Sequence, residues 1–278
     1  MTTSGSPGSL FIVSTPIGNM GDMSYRAVEI LSSVSLVVAE DTRHSRRLLD
    51  HYHIATRSSP YHEHNEARET PRLVQRLLDG ESIALITDAG TPLLSDPGAR
   101  LVTASINAGI TVVPIPGASA LLAALVASGI AGDQFTFFGL LPRRGKERLQ
   151  KLAEIMKLDH SGIIYESPMR TAATLKELSE AGAGNRQAVV ARELTKKFEE
   201  FARGTVSQLA AQFAERTVKG EVVILIGAAA HEKVSEDALR DAAQAMKAEG
   251  FSAREIVERL TSEMGAGKNL AYRLAHEE

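Results

Sequence analysis

Eight short apolar, β-branched runs punctuate the chain: Leu10–Ser14, Leu36–Ala39, Ile83–Thr87, Thr111–Ile115, Phe135–Gly139, Ile163–Glu166, Ala188–Arg192 and Val222–Ile226. Most are continuously apolar rather than alternating, the pattern of strands covered on both faces. Helical spacing fills many of the gaps, over Tyr25–Ser32, Glu66–Asp79, Ala99–Ala108, Lys146–Met156 and Thr171–Ala181. Strands alternating with helices predict an α/β protein with mostly parallel sheets.

Pro114, Pro116 and Gly117 break the pattern near the middle, and a helix-like Ala/Leu segment, Ala118–Ser128, follows. The expected division is an N-terminal α/β domain over 10–117 and a C-terminal α/β domain over 118–230. From Ser235 onward no strand pattern occurs, and Ser252 with Glu255 spells a capping box. Helices over Asp237–Glu249, Ala253–Met264 and Lys268–His276 predict a small helical appendage within 231–278. Residues 1–9 are rich in Ser, Gly and Thr without a basic stretch. They read as a short disordered tail and not as a signal peptide.

A chain of 278 residues that is 44% hydrophobic and 23% charged can bury a core of one large or two ordinary domains. No apolar run approaches the roughly 20 residues of a membrane helix. The absence of cysteine excludes disulfides, thiolate metal sites and cysteine nucleophiles, and suits a reducing cytoplasm. A net charge of −3 means that any nucleic-acid contact must come from local basic patches.

The common nucleotide and hydrolase fingerprints are missing: no G-x-G-x-x-G follows a strand, and there is no P-loop and no G-x-S-x-G elbow. What remains is a set of loops at the carboxyl ends of successive strands, where open α/β sheets bind ligands. They are Thr15-Pro16-Ile17-Gly18-Asn19, Glu40-Asp41-Thr42-Arg43, Asp88-Ala89-Gly90-Thr91-Pro92 continuing to Ser95-Asp96-Pro97-Gly98, and Pro116-Gly117-Ala118-Ser119-Ala120. Gly admits close backbone approach and Pro sets a turn. Each loop taken singly also reads as an ordinary turn, with Asp96-Pro97 or Ser119 capping the next helix. Four in succession favour a ligand crevice.

In the second half, Tyr165-Glu166-Ser167-Pro168 and Arg192-Glu193-Leu194-Thr195-Lys196-Lys197 end strands, and Gly220-Glu221 opens the last one. Their charges suit either a site or a solvated ion cluster. Arg143, Arg144, Lys146 and Arg148, with Lys151, form the densest positive segment; Arg43, Arg46 and Arg47 form a weaker one. Both suit phosphate contacts or a solvated helix start. His62-Glu63-His64 lacks the spacing of a metal motif and reads as a solvated loop, so no metal is expected.

Taken together these motifs resemble the ribosomal RNA branch of the tetrapyrrole methylase family, over roughly Leu10 to Gly227. The resemblance rests on Thr15–Asn19, Glu40–Arg43, Asp88–Pro92 with Ser95–Gly98, Tyr165–Pro168, and Arg192–Lys196 with Glu199-Glu200. One departure is Thr87, where the family often has Ser. The resemblance implies two α/β domains with S-adenosylmethionine in the cleft between them, and a homodimer. It implies 2′-O-methylation of a cytidine in the decoding region of 16S rRNA in the small ribosomal subunit. By the same resemblance the donor-binding positions are Thr15, Pro16, Asp88, Thr91, Ser119, Ala120, Tyr165, Ala191, Gly220 and Glu221.

Methyl transfer to a ribose hydroxyl profits from a general base or a cation beside the developing alkoxide. Glu40, Asp41, Glu193 and Lys196 are the candidates, and the sequence does not choose among them. Arg43, Arg143, Arg144, Lys146 and Arg148 are the expected RNA contacts. With no Trp and 5% aromatic residues, recognition should lean on the shape of the subunit more than on stacking. Two other readings compete. One is C-methylation of a tetrapyrrole on the same scaffold; the other is a non-catalytic RNA-binding factor.

Overall fold

The computed structural model describes residues 6–130, 132–229 and 235–277. Five strands form a first sheet: β1 (Ser9–Val13), β2 (Leu36–Ala39), β3 (Ser58–Pro60), β4 (Ile83–Ile86) and β5 (Thr111–Ile115). Their order is β3-β2-β4-β1-β5, parallel throughout. Helices α1 (Tyr25–Ser33) and α2 (Thr42–His51) bury Ala27, Leu31 and Leu49 against Val13, Val37, Ala84 and Ile86 on one face. Helices α3 (Glu66–Leu78) and α4 (Ala99–Asn107) bury Leu73, Leu77 and Leu101 against Leu10, Val38, Ile83 and Leu85 on the other. Alternate residues of each strand thus face two separate cores, which is why the runs are apolar without interruption. Burying each such Leu contributes about 1.5–3 kcal/mol.

Helix α5 (Ala120–Ser128) leads to a second sheet of β6 (Phe135–Leu140), β7 (Ser161–Glu166), β8 (Gln187–Arg192), β9 (Glu200–Thr205) and β10 (Val222–Ile226), in the order β6-β7-β10-β8-β9. Here the expectation of mostly parallel sheets fails. Only β6 and β7 pair in parallel; β7–β10, β10–β8 and β8–β9 are antiparallel. Two crossovers, through α7 (Thr171–Leu178) and α8 (Val206–Ala214), each skip a position in the sheet, so their strands interleave head to tail. The alternation of strand and helix survives while the pairing reverses. Helices α6 (Lys146–Met156), α7 and α8 cover one face through Ile155, Leu175, Val206 and Phe213. Helix α5 and the loop residues Ile17 and Ala89 of the first sheet cover the other.

Strands β3 and β9 have no counterpart among the eight apolar runs. Both are sheet edges, Ser-Ser-Pro and Glu-Phe-Ala-Arg-Gly-Thr, where polar residues and proline are tolerated because one side has no partner strand. Helices α2 and α8 likewise have no counterpart. At the N-terminus β1 begins at Ser9, and the Gly8 amide donates to the Leu77 carbonyl at 2.8 Å, so the expected tail over 1–9 is held in place at Gly8 and Ser9. Residues 1–5 lie outside the described residues, as does the expected boundary at 230–231. Helices α9 (Glu236–Ala248), α10 (Ala253–Ser262) and α11 (Lys268–His276) pack on one another around Leu239, Ile256, Leu260 and Leu274. Ser252 and Glu255 form the capping box that starts α10. Among the described residues no helix is long and apolar enough to cross a membrane.

Candidate active site

The carboxyl ends of the first sheet meet one face of the second, and a cavity of about 410 Å³ lies between them. Hydrogen bonds weld the loops of its floor. Thr15 and Gly90 exchange amide and carbonyl bonds at 2.9 and 3.0 Å. Thr15 Oγ1 donates to the Thr87 carbonyl at 3.2 Å, and Thr91 Oγ1 donates to the Ala118 carbonyl at 3.2 Å. Gly117 passes so close to Ser14 that a Cβ there would stand 2.9 Å from the Ser14 Cβ, and Gly90 holds a φ of 84°. These two glycines are therefore needed for backbone packing.

Ile17, Ala89, Ala120, Leu140 and Val223 give the cavity apolar walls, while Glu40, Asp88, Asp96 and Glu221 give it carboxylates. The Asp88 carboxylate accepts the Asp41 amide at 3.2 Å. Burial, then the charges of Glu40 and Asp88, push the Asp96 carboxyl up to about 6. Burial, then Asp88, also raises Glu40, and His62 partly opposes this. Tyr165 stands over the floor, its hydroxyl accepting the Leu121 amide at 3.1 Å, and burial holds the phenol protonated. Among the described residues, no Lys or Arg lines the cavity.

Of the expected donor positions, Asp88, Thr91, Ala120, Tyr165 and Glu221 line this cavity. Thr15 and Pro16 are buried beneath it, Ser119 caps α5, and Ala191 lies in the core against Ile17. Gly220 is backed against the Glu193 carboxylate. Of the four catalytic candidates only Glu40 lines the cavity. Asp41 caps α2 through the Arg43 amide at 2.8 Å. Lys196 donates to Glu193 at 3.0 Å and to Glu221 at 2.8 Å. Burial opposes the Lys196 charge, but these carboxylates outweigh it and hold the ammonium protonated. Its stem lies on Gly18, where a Cβ would stand 2.4 Å from Lys196 Cγ, so the pair clasps the two sheets' loops together.

Arg148 does not fit the role expected for it. It is buried and donates to Glu177 at 2.8 Å, to the Pro142 carbonyl at 3.0 Å and to Thr174 at 2.8 Å. One turn into α6, its guanidinium faces the core, where a solvated phosphate cannot reach it. Arg43, Arg143, Arg144 and Lys146 are exposed. The Tyr-Glu-Ser-Pro motif has a second purpose. The Glu166 side chain is 0% exposed and accepts from Arg170 at 2.7 Å, from the Ser167 amide at 2.8 Å and from Thr174 at 2.7 Å. Asp96 escaped the sequence reading as a site residue because Asp-Pro resembles a helix cap. Gly98 occupies that cap position instead, freeing Asp96 for the cavity wall.

The model of the tetrapyrrole (corrin/porphyrin) methylases matches residues 9–210. The chain belongs to the tetrapyrrole methylase family. This tetrapyrrole methylase is 44% identical to the ribosomal RNA small subunit methyltransferase I of Synechocystis, over 97% of its own length and 98% of the relative's. It is 50% identical to the protein of that name from Mesorhizobium japonicum, over 80% and 76%. Among solved structures it shares its fold with diphthine synthase, at a TM-score of 0.62 and 15% identity over 80% of this chain and 90% of that one. A cobalt precorrin-4 methyltransferase gives 0.60 and 19%, over 79% and 94%. These likenesses show a shared fold.

Proposed function

We propose that the chain transfers a methyl group from S-adenosylmethionine to small-subunit ribosomal RNA, at the 2′-oxygen of a cytidine in the decoding region. The observation that carries this reading is the charge layout of the cleft. Carboxylates line the cavity and basic residues flank it. Arg43 follows the lining residue Glu40 by three residues, and Arg143 follows Leu140 by three, so each lies within roughly 11 Å of backbone reach. A cationic sulfonium donor suits the acidic interior, with apolar walls for its adenine, and phosphates suit the lips. The donor supplies an electrophilic methyl group; the chain's task is to align it with the acceptor oxygen and exclude water. The names of the relatives at 39–50% identity support the RNA substrate. A fold neighbour complexed with S-adenosylhomocysteine supports the donor.

The acidic lining disfavours the tetrapyrrole reading, since a carboxylated macrocycle would be repelled by Glu40, Asp88, Asp96 and Glu221. The test is labelled donor with small ribosomal subunits from cells lacking the gene, read by nucleoside mass spectrometry. Label on a cytidine 2′-oxygen is the expected result; donor binding without label in RNA would sink the RNA reading. Reversing Arg143 and Arg144 to Glu should weaken subunit binding at least about tenfold and reduce its salt dependence, with donor affinity unchanged. Equal loss of both would refute phosphate contact by these residues. The reading includes action in the cytoplasm as a homodimer. The exposed Leu122 and Val126, four residues apart on the outer face of α5, support self-association.

A further inference from the structure

The loop that joins β8 to β9, residues 193–199, is held in a strained form. Glu193 and Thr195 have φ of 50° and 64°, the left-handed region that a β-branched residue such as Thr rarely enters. The Thr195 hydroxyl is buried without a hydrogen-bond partner. Other contacts fix the loop. The Thr195 amide donates to the Glu199 carboxylate at 2.6 Å, the Lys196 amide to the Glu193 carbonyl at 3.0 Å, and the Glu199 amide to the Lys196 carbonyl at 3.1 Å. At the base of the hairpin, Glu200 accepts from Arg192 at 2.5 Å and from Arg216 at 2.8 Å. Strain kept in place by its surroundings gathers at functional loops.

What this loop presents to solvent is Lys197 and Phe198. Of the eight phenylalanines Phe198 is the most exposed, at 64%. The Lys197 ammonium stands 5.7 Å from the ring centroid, and among the described residues it has no carboxylate partner. Their place is the lip of the cleft. Lys196 bonds Glu221 on the cavity wall and lies on Gly18, and Phe198 follows it by two residues, within roughly 7 Å of backbone reach. A ring beside an unpaired cation is the combination that holds single-stranded nucleic acid, the ring stacking on a base and the cation meeting a phosphate. Both chain neighbours of Phe198, Lys197 and Glu199, are exposed and charged, whereas the core of a protein interface is depleted of charge.

Building on the RNA-methylation reading, we propose that Phe198 stacks on a base flanking the target nucleotide and that Lys197 contacts the adjoining phosphate. Both are positioning residues; no bond forms or breaks at them. A base drawn to the cleft with its strand loses stacking on its neighbours, and a ring held rigid by the hairpin replaces one of them. The strand is thereby fixed in register, so that one ribose oxygen and no other lines up with the methyl group. The ring contact accepts any base, because every base has a π-face.

The test measures single-turnover methyl transfer to unmodified small subunits as their concentration is varied. Donor affinity is read by calorimetry, and Tm and sedimentation are recorded for each variant. Phe198→Ala should raise the half-saturating subunit concentration about 5- to 100-fold, with donor affinity, Tm and oligomeric state unchanged. Phe198→Trp keeps a π-face and should stay close to the wild type. Phe198→Leu keeps apolar bulk without a π-face and should behave like the alanine variant. Lys197→Ala should lower the slope of log affinity against log salt by about 1, while Phe198→Ala leaves that slope unchanged; a merely structural role would not separate the two. A smaller change in half-saturation for Phe198→Ala would overturn the proposal and leave the RNA reading intact. Full rescue by Leu would show an apolar contact with a protein of the subunit in place of stacking, and dissociation of the Ala variant would show a contact between copies of this chain; either would overturn it. An unchanged salt slope in Lys197→Ala would overturn the phosphate contact. A wild-type protein that binds donor and labels no RNA would overturn both readings together.

Discussion

Glu166→Ala should destabilise the second sheet more than any other single change to a site motif, by about 3–5 kcal/mol. The carboxylate has no solvent exposure, and its removal strands three donors at once: the Arg170 guanidinium, the Ser167 amide and the Thr174 hydroxyl. The damage extends further, because Thr174 also accepts from buried Arg148, which in turn holds the Pro142 carbonyl before α6. The chain leaving β6, the start of α6 and the first turn of α7 are thus tied to one carboxylate. In a protein of this size the loss corresponds to a fall in Tm on the order of 10 °C. Glu166→Gln keeps the shape and one acceptor, so it should cost less. Chemical denaturation of both variants reads the difference. A loss below about 1 kcal/mol for the alanine variant would show that water replaces the network.

Asp88→Ala should lower donor affinity about 10- to 100-fold, equivalent to about 1.4–2.8 kcal/mol. Asp88 is the carboxylate at the end of β4 that faces the cavity while accepting the Asp41 amide, so it fixes the ends of β2 and β4 relative to each other. Its loss removes an anion from a cation's site and frees a backbone donor. Calorimetry with S-adenosylmethionine reads the affinity, and circular dichroism should show the fold unchanged. Affinity within twofold of the wild type would remove Asp88 from the donor site. Asp88→Asn retains an acceptor for Asp41 and separates the effect of charge from that of geometry.

The strand-end loops were legible because their chemistry is local. A turn that lets backbone approach a ligand needs Gly or Pro wherever it occurs, and Thr15–Asn19, Asp88–Pro92 and Pro116–Ala120 carry those residues openly. The buried strands were legible for the same kind of reason, since a strand covered twice must be apolar throughout. The edge strands β3 and β9 were not, because an edge imposes no such demand.

Charged residues divided differently. Sequence alone marks Arg143 and Arg148 as equivalent members of one basic segment, but the helical turn of α6 sends Arg148 to the core and leaves Arg143 in solvent. Glu193 and Lys196 stand at a strand end, as a catalytic pair would. Only the approach of Glu221 and Gly18 shows that they clasp the two loops instead. Asp96 reads as a helix cap until the chain places Gly98 at that cap and brings Glu40 and Asp88 beside the carboxylate.

The sequence by itself determined the α/β class, the C-terminal helices and the loops that line the cleft, because hydrophobic period and turn chemistry act within a few residues of the chain. Tertiary structure alone decided the antiparallel interleaving of the second sheet, the gathering of Glu40, Asp88 and Asp96 in one cavity and the partners of the buried charges. Those depend on groups far apart in the chain, and burial and electrostatic fields arise only once folding has brought them together.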